Sequence, residues 1–339
     1  RYLAGRNGSA GSIAAFKLGF APRLGSLIEE AHKRGYTREH LLNAGLAAQR
    51  EGRLREYFFD RVLFPIQDPR GAYVGFGART LGDGQPKYLN SPDSPMFSKR
   101  RVLYGLSQAV GEIRKQRRAL LMEGYMDVIA AHQYGFTTAC APLGTALPPE
   151  QGALIKRYAT DITIIFDSDG AGFNAAMRAA YMLMAEGLEV KATTVAGGKD
   201  PDEHLRESGA GSFRKCLETA KDLIVFKTDL LLSVEEAPLS ANRKSAIARE
   251  MIAAIRQFPD EVSKMEWGRW LAGRLGIDEM AFRMQLAKGD MDHATPGAAA
   301  VRPPMATQEV SREQGLLELI FQKPKLAAMA RESDFTALP

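Results

Sequence analysis

The stretch Ile162–Ala176, ITIIFDSDGAGFNAA, decides the reading of this 339-residue chain. Apolar and β-branched residues run directly into two carboxylates one residue apart, Asp167 and Asp169. Gly170 and Gly172 follow, and then a helical run. A buried strand ending in paired acids and a turn predicts one βα unit. The flanking sequence repeats the unit. ALLMEG (119–124), TTACA (137–141) and EVKATTV (189–195) read as strands. YMDVIAAHQYG (125–135), PPEQGALIKRYA (148–159) and PDEHLRESG (201–209) read as helices. Such alternation predicts a parallel sheet with right-handed crossovers.

In open sheets of this kind, ligands bind beyond the carboxyl ends of the strands. Three expected strand ends carry acids: Glu123, then Asp167 and Asp169, then Asp200 and Asp202. Taken singly, each is a turn or a helix cap of an ordinary sort. Three at successive strand ends predict a shared cation, because five carboxylates on one edge would otherwise repel. An all-oxygen set suits Mg²⁺, with Mn²⁺ as a substitute. The two cysteines, Cys140 and Cys216, provide neither a disulfide framework nor a cysteine-rich zinc site, so no zinc is expected. No Walker A motif is present.

Charge is unevenly placed. Residues 1–118 hold 21 Lys and Arg against 10 Asp and Glu, and residues 119–339 hold 24 against 30. A basic front half predicts a polyanion partner. Residues 1–60 read as mostly helical, with Thr37 as a helix cap. RVLFPIQDPRGAYVGFGART (61–80) reads as two strands turning at Asp68–Gly71, and residues 82–105 as an irregular cationic loop carrying Lys87, Lys99, Arg100 and Arg101. Residues 216–288 read as helices throughout, with Trp267 and Trp270 spaced for helix packing. Residues 289–309 have linker composition. No apolar run is long enough for a membrane helix, and a cytoplasmic protein is expected. The chain starts at Arg1 rather than Met, which predicts a piece of something longer.

The order Glu-Gly, Asp-x-Asp, Asp-x-Asp resembles the Toprim domain of bacterial primases, topoisomerases and some nucleases. The surrounding words FPIQDPRGAYVGFGART, PKYLNSPDSPMFSKRRVLYGL, EGYMDVIAAHQYG, PLGTAL, FDSDGAGFNAAMRA and GGKDPDEHL resemble a bacterial DnaG-type replicative primase from Tyr2 to about Gly289. The resemblance implies an α/β chain: a basic mixed α/β N-terminal subdomain (1–115), a Toprim parallel sheet flanked by helices (116–220), a helical subdomain (221–289), a linker (290–310) and, from 311 to 339, the start of a helicase-binding domain. It implies a DNA-dependent RNA polymerase making short primers on single-stranded DNA from ribonucleoside triphosphates, with the replicative helicase as partner.

By the same resemblance, Glu123 acts as acid or base near the metal, with Asp167, Asp169, Asp200 and Asp202 binding it. Asp127 is an additional acid near the site. Arg79, Lys87, Asn90 and Lys99 meet template or nucleotide. Arg6 is a further match, although Asn7 stands where the family usually has Gly. Of the aromatic residues Phe58, Phe59, Tyr73, Phe76 and Tyr88, core packing is expected for most. Three rival readings differ in their needs. A haloacid dehalogenase-type phosphatase usually has Thr or Val at the position of Ala171. A topoisomerase requires a gate tyrosine, and a non-catalytic Toprim binding module has no need of all the acids.

Overall fold

The computed structural model describes residues 8–23, 27–144, 147–166, 170–195, 200–233 and 238–292. The chain divides into two units, residues 1–283 and 284–339. The first holds everything described below. In the second, only the final turns of one helix, up to Asp292, are described. The expected linker from residue 293 onward and the segment from 311 lie outside the described residues.

The front of the chain is built on an antiparallel sheet in the order β1 (Gly19–Ala21), β4 (Arg61–Gln67), β5 (Tyr73–Thr80), β6 (Tyr88–Asn90). Asp68 closes the β4–β5 turn, its Oδ1 accepting the N–H groups of Arg70 and Ala72, both at 2.9 Å. Three short helices, α1 (Ala10–Ala15), α2 (Leu27–Lys33) and α3 (Arg38–Asn43), belong to the same part of the chain. Thr37 caps α3 as expected, in a reciprocal box with His40. The mostly helical expectation for residues 1–60 is corrected at its end. Ala47–Arg50 (β2) and Arg53–Glu56 (β3) form a hairpin. Its two-residue turn, Glu51-Gly52, has positive φ at both positions, the twist that joins antiparallel strands tightly. The cationic loop is also more ordered than expected, since Tyr88–Asn90 adds a strand to the sheet.

The second sheet has the order β8 (Ala139–Cys140), β7 (Arg118–Leu121), β9 (Asp161–Phe166), β10 (Glu189–Thr194), β11 (Lys221–Asp222). Four strands are parallel, as the alternation predicts. The fifth, β11, is antiparallel and replaces the start of the expected all-helical tail. The helices are α4 (Leu106–Gln116), α5 (Tyr125–Gln133), α6 (Pro149–Lys156), α7 (Gly170–Ala185) and α8 (Pro201–Glu218). From β7 the chain steps one way to β8 and then back across to β9. The order therefore reverses between β7 and β9, which makes their carboxyl ends the crevice of the sheet. Ile162, Ile164, Ile165 and Phe166 are all buried, the continuous apolar run that a strand covered on both faces requires.

Helices α9 (Leu223–Ser233), α10 (Ala241–Ile255), α11 (Glu261–Leu275) and α12 (Glu279–Asp292) complete the order. Trp267 and Trp270 meet edge to face at 5.7 Å, and Phe258 stacks on Trp267. Among the described residues no helix is long and apolar enough to cross a membrane.

Candidate active site

The two sheets share one buried cluster, with Tyr125 at its centre of aromatic contacts. Tyr125 opens α5 and is buried against Phe64 of β4 (4.9 Å, stacked) and Tyr104 (4.6 Å, edge to face). Its ring lies over Gly77 of β5, where a Cβ would sit 2.3 Å from Tyr125 Cζ. No larger residue fits that approach. The Tyr125 hydroxyl donates to Asn90 Oδ1, and Asn90 Nδ2 donates to the Leu143 carbonyl at 2.8 Å. Burial, and then the nearby Tyr88, push the Tyr125 phenol far above its ordinary range, so it remains a neutral donor. Asn90 thus clamps the last front strand to the loop after β8.

Beside this clamp lies a cleft of about 490 Å³ at the carboxyl ends of β7 and β9. Its walls include Tyr88, Asn90, Glu123, Tyr125, Asp127 and Leu143. Glu123 lies two residues past the end of β7, in the bend that leads into α5. Asp127 sits in the first turn of α5, where the helix dipole favours a carboxylate. It is buried, and its Oδ1 accepts the backbone N–H of Asp202 at 3.2 Å. Asp127 therefore joins the amino ends of α5 and α8. Asp200 caps α8, accepting the Glu203 N–H at 2.7 Å, so the capping role of an acid before a helix is realised there. Asp202 is buried at 3% exposure.

Of the residues singled out in the sequence, Glu123, Asp127 and Asn90 line one cleft, while Asp202 does not line it and is tied to Asp127 through its backbone N–H. Arg79 Nη1 donates to the Tyr88 hydroxyl at 2.9 Å, on the wall of the same cleft. Lys87 and Lys99 are exposed on the flanking loop. Arg6, Asp167 and Asp169 lie outside the described residues. Among the described residues no group of three or more metal-ligating side chains comes together. The donors present are carboxylate oxygens, the chemistry that a hard divalent cation prefers.

Two residues with evident positioning contacts escaped the sequence reading. Tyr125 lies inside the EGYMD word, but nothing local distinguishes it from a core tyrosine. Gln151, at 1% exposure on α6, donates from Nε2 to the carbonyls of Lys99 (2.7 Å) and Val102 (2.8 Å). Arg100 adds a forked pair to Glu150 of the same helix. A buried glutamine is uncommon enough to notice once burial is known, but the sequence carries no sign of it. The aromatic expectation is corrected in part. Phe58 is buried and Phe76 half-buried, but Phe59, Tyr73 and Tyr88 are exposed.

A parallel sheet with acids at its reversal point, docked on a basic antiparallel sheet, defines a Toprim-containing nucleic-acid enzyme core. Comparison with known proteins agrees. Residues 1–110 match the family described as DNA primase catalytic core, N-terminal domain, and residues 120–205 match a Toprim-like family. DNA primase of Halalkalibacterium halodurans is 43% identical over 217 residues, 63% of this chain and 36% of that one. DNA primase of Escherichia coli is 34% identical over 338 residues, 97% of this chain and 56% of that one. The chain thus spans between about a third and somewhat over half of these relatives. The crystal structure of a DNA primase domain from Pseudomonas aeruginosa superposes with a TM-score of 0.75 at 35% identity, covering 85% of this chain and 91% of that one. A DnaG primase catalytic domain bound to single-stranded DNA gives 0.72 at 33%, covering 83% and 89%. The chain belongs to the family of bacterial DnaG-type primase catalytic cores.

Proposed function

We propose that this chain polymerises short RNA on a single-stranded DNA template, joining ribonucleotides by in-line displacement at phosphorus. The observation that carries the proposal is the cleft that places Glu123 and Asp127 at the sheet's reversal point, beside the clamp to a basic domain. The DNA-bound relative with the same fold supports a nucleic-acid template. Glu123, Asp167, Asp169, Asp200 and Asp202 would hold Mg²⁺ or Mn²⁺, which supplies charge neutralisation at the phosphates.

The protein's own groups do the rest. A carboxylate oxygen of Glu123 accepts the proton of the attacking 3′-hydroxyl. The 3′-oxygen then bonds to the α-phosphorus of the incoming ribonucleotide as the bond from that phosphorus to pyrophosphate breaks. Arg79, Lys87 and Lys99, with Arg6, hold triphosphate and template phosphates. Asn90 and Tyr125 keep the front sheet in register with the catalytic one. The residues from 311 on resemble the start of a helicase-binding domain, and this resemblance supports the replicative helicase as a partner.

The test supplies single-stranded DNA of defined sequence, four ribonucleotides and Mg²⁺ or Mn²⁺. Short alkali-labile products complementary to the template are expected. Products whose sequence ignores the template, or none with either metal, would overturn the proposal.

A further inference from the structure

The chain crosses from one sheet to the other between β6 and α4, and Lys99 lies on that crossing. Before it, Phe97 is buried against the front sheet, where a Cβ on Gly75 of β5 would sit 3.0 Å from its ring. After it, Tyr104 exchanges both backbone hydrogen bonds with Ala141, next to β8, at 2.8 and 3.0 Å. Between these anchors the backbone of Lys99 is held twice. Its N–H donates to Asp93 Oδ1 at 3.4 Å, and its carbonyl accepts from Gln151 Nε2 at 2.7 Å. The same nitrogen donates to the Val102 carbonyl at 2.8 Å, so two acceptors settle which end of the amide is the donor. Gln151 stands on a firm base. Beside it, Gly152 lets α6 approach α7 closely, since a Cβ there would lie 2.8 Å from Met182 Sδ. Helix α7 is the one that follows Asp167 and Asp169 in the chain.

Core packing alone does not account for this glutamine. It is 1% exposed, and its Oε1 is buried with no hydrogen-bond partner among the described residues, an arrangement that costs free energy. Nor is it needed to join the two sheets, which the Tyr104–Ala141 bridge and the Tyr125 clamp already do. What Gln151 alone fixes, among the described residues, is the carbonyl of Lys99. The neighbouring cations divide the work. Arg100 is committed to Glu150 of α6, whereas the Lys99 ammonium forms no ion pair among the described residues. It is exposed and left for an anion from outside. We infer that Gln151 is a positioning residue, which ties the backbone of Lys99 to the helices of the catalytic sheet and so sets where its ammonium meets a phosphate. The inference rests on the proposed role of Lys99. Lysine is a point charge on a flexible stem, so only its backbone mount can be fixed in advance. A displacement of about 1 Å at such a mount is enough to weaken a contact that depends on position.

The experiment compares the full parent chain with Gln151→Met, Lys99→Ala and the double variant, each assayed below its melting temperature. Methionine keeps the volume and removes the donor. One arm measures affinity for a fluorescent 30-nucleotide single strand without nucleotides. The other measures KM and kcat for ribonucleotides during synthesis on a single-stranded template. Lys99→Ala should weaken one arm by about tenfold, the worth of one charged hydrogen bond, and the arm it moves tells template phosphate from triphosphate. Gln151→Met should weaken that same arm by about three- to fivefold, with kcat changed by less than about twofold. The double variant should match Lys99→Ala within about twofold, because the mount then has nothing to hold. A Gln151→Met protein that melts lower but binds strand and ribonucleotides as the parent does would leave Gln151 a structural residue and overturn the inference. So would a double variant whose loss is the product of the two single losses. Lys99→Ala without effect in either arm would remove the role of Lys99 and the inference with it, a failure visible without the glutamine variants. Should Gln151→Met fold poorly, Gln151→Asn, whose amide stops one methylene short, carries the same comparison.

Discussion

Gly77→Ala tests the joint between the two sheets with a single methyl group. That methyl would meet Tyr125 Cζ at 2.3 Å, its hydroxyl oxygen at 2.4 Å and Cε1 at 2.7 Å. Ordinary contact between carbon atoms is about 3.5–4.0 Å, so the ring must retreat by more than about 1 Å. It has nowhere to go, being held by Phe64 at 4.9 Å and Tyr104 at 4.6 Å. Overpacking of this kind costs about 1–3 kcal/mol, and the strained side chain would also lose its hydrogen bond to Asn90, about 1 kcal/mol more. A total of about 2–4 kcal/mol lowers the melting temperature by roughly 3–7 °C in a protein of this size. Thermal unfolding followed by circular dichroism reads it directly. Tyr125→Leu combined with Gly77→Ala should cost less than the two single losses added, because the clash is shared. A Gly77→Ala protein melting within about 1 °C of the parent would refute the reasoning about the joint.

Gln151→Leu should leave the carbonyls of Lys99 and Val102 without their donor, costing about 2–4 kcal/mol in urea unfolding and speeding amide exchange in residues 99–102. Lys87→Ala and Lys99→Ala, on exposed side chains, should leave stability unchanged while weakening single-stranded DNA binding, with a shallower salt dependence for each. His132 is held below its ordinary range by burial, an effect its 2.9 Å contact with the Ala139 carbonyl only partly offsets. The unfolded chain therefore binds this proton more readily, so stability should fall as pH drops below about 6.5. His132→Gln should flatten that fall, as urea titrations at pH 5 and pH 7.5 would show.

The parallel strands of residues 118–194 were legible because they alternate with helices, and the inner strand β9 is buried on both faces and reads as a plain apolar run. The hairpin of residues 47–56 was not. Its outward face is arginine and its turn is Glu-Gly, a pattern that in isolation suits a helix end as well. The strand β11 is two residues long and is defined by pairing alone. At the site, Glu123 and Asp127 were legible from the motif, and they do share a cleft. Asn90 was found in the sequence as a polar contact for nucleotide or template. The fold commits both ends of its amide to Tyr125 and Leu143, a long-range arrangement that no local pattern encodes.

The central claim is that the acids of the Toprim sheet make RNA, and primer synthesis by three proteins side by side tests it most directly. The parent chain, Glu123→Gln and Asp167→Asn are given the same single-stranded template, ribonucleotides and Mn²⁺, with Mn²⁺ binding measured by calorimetry. The parent should yield short RNA. Asp167→Asn should lose both synthesis and much of the metal affinity, and Glu123→Gln should lose synthesis, by about a hundredfold or more, with a smaller loss of metal binding. Near-normal synthesis by Asp167→Asn would reduce the paired aspartates to a turn and a helix cap and would contradict the account.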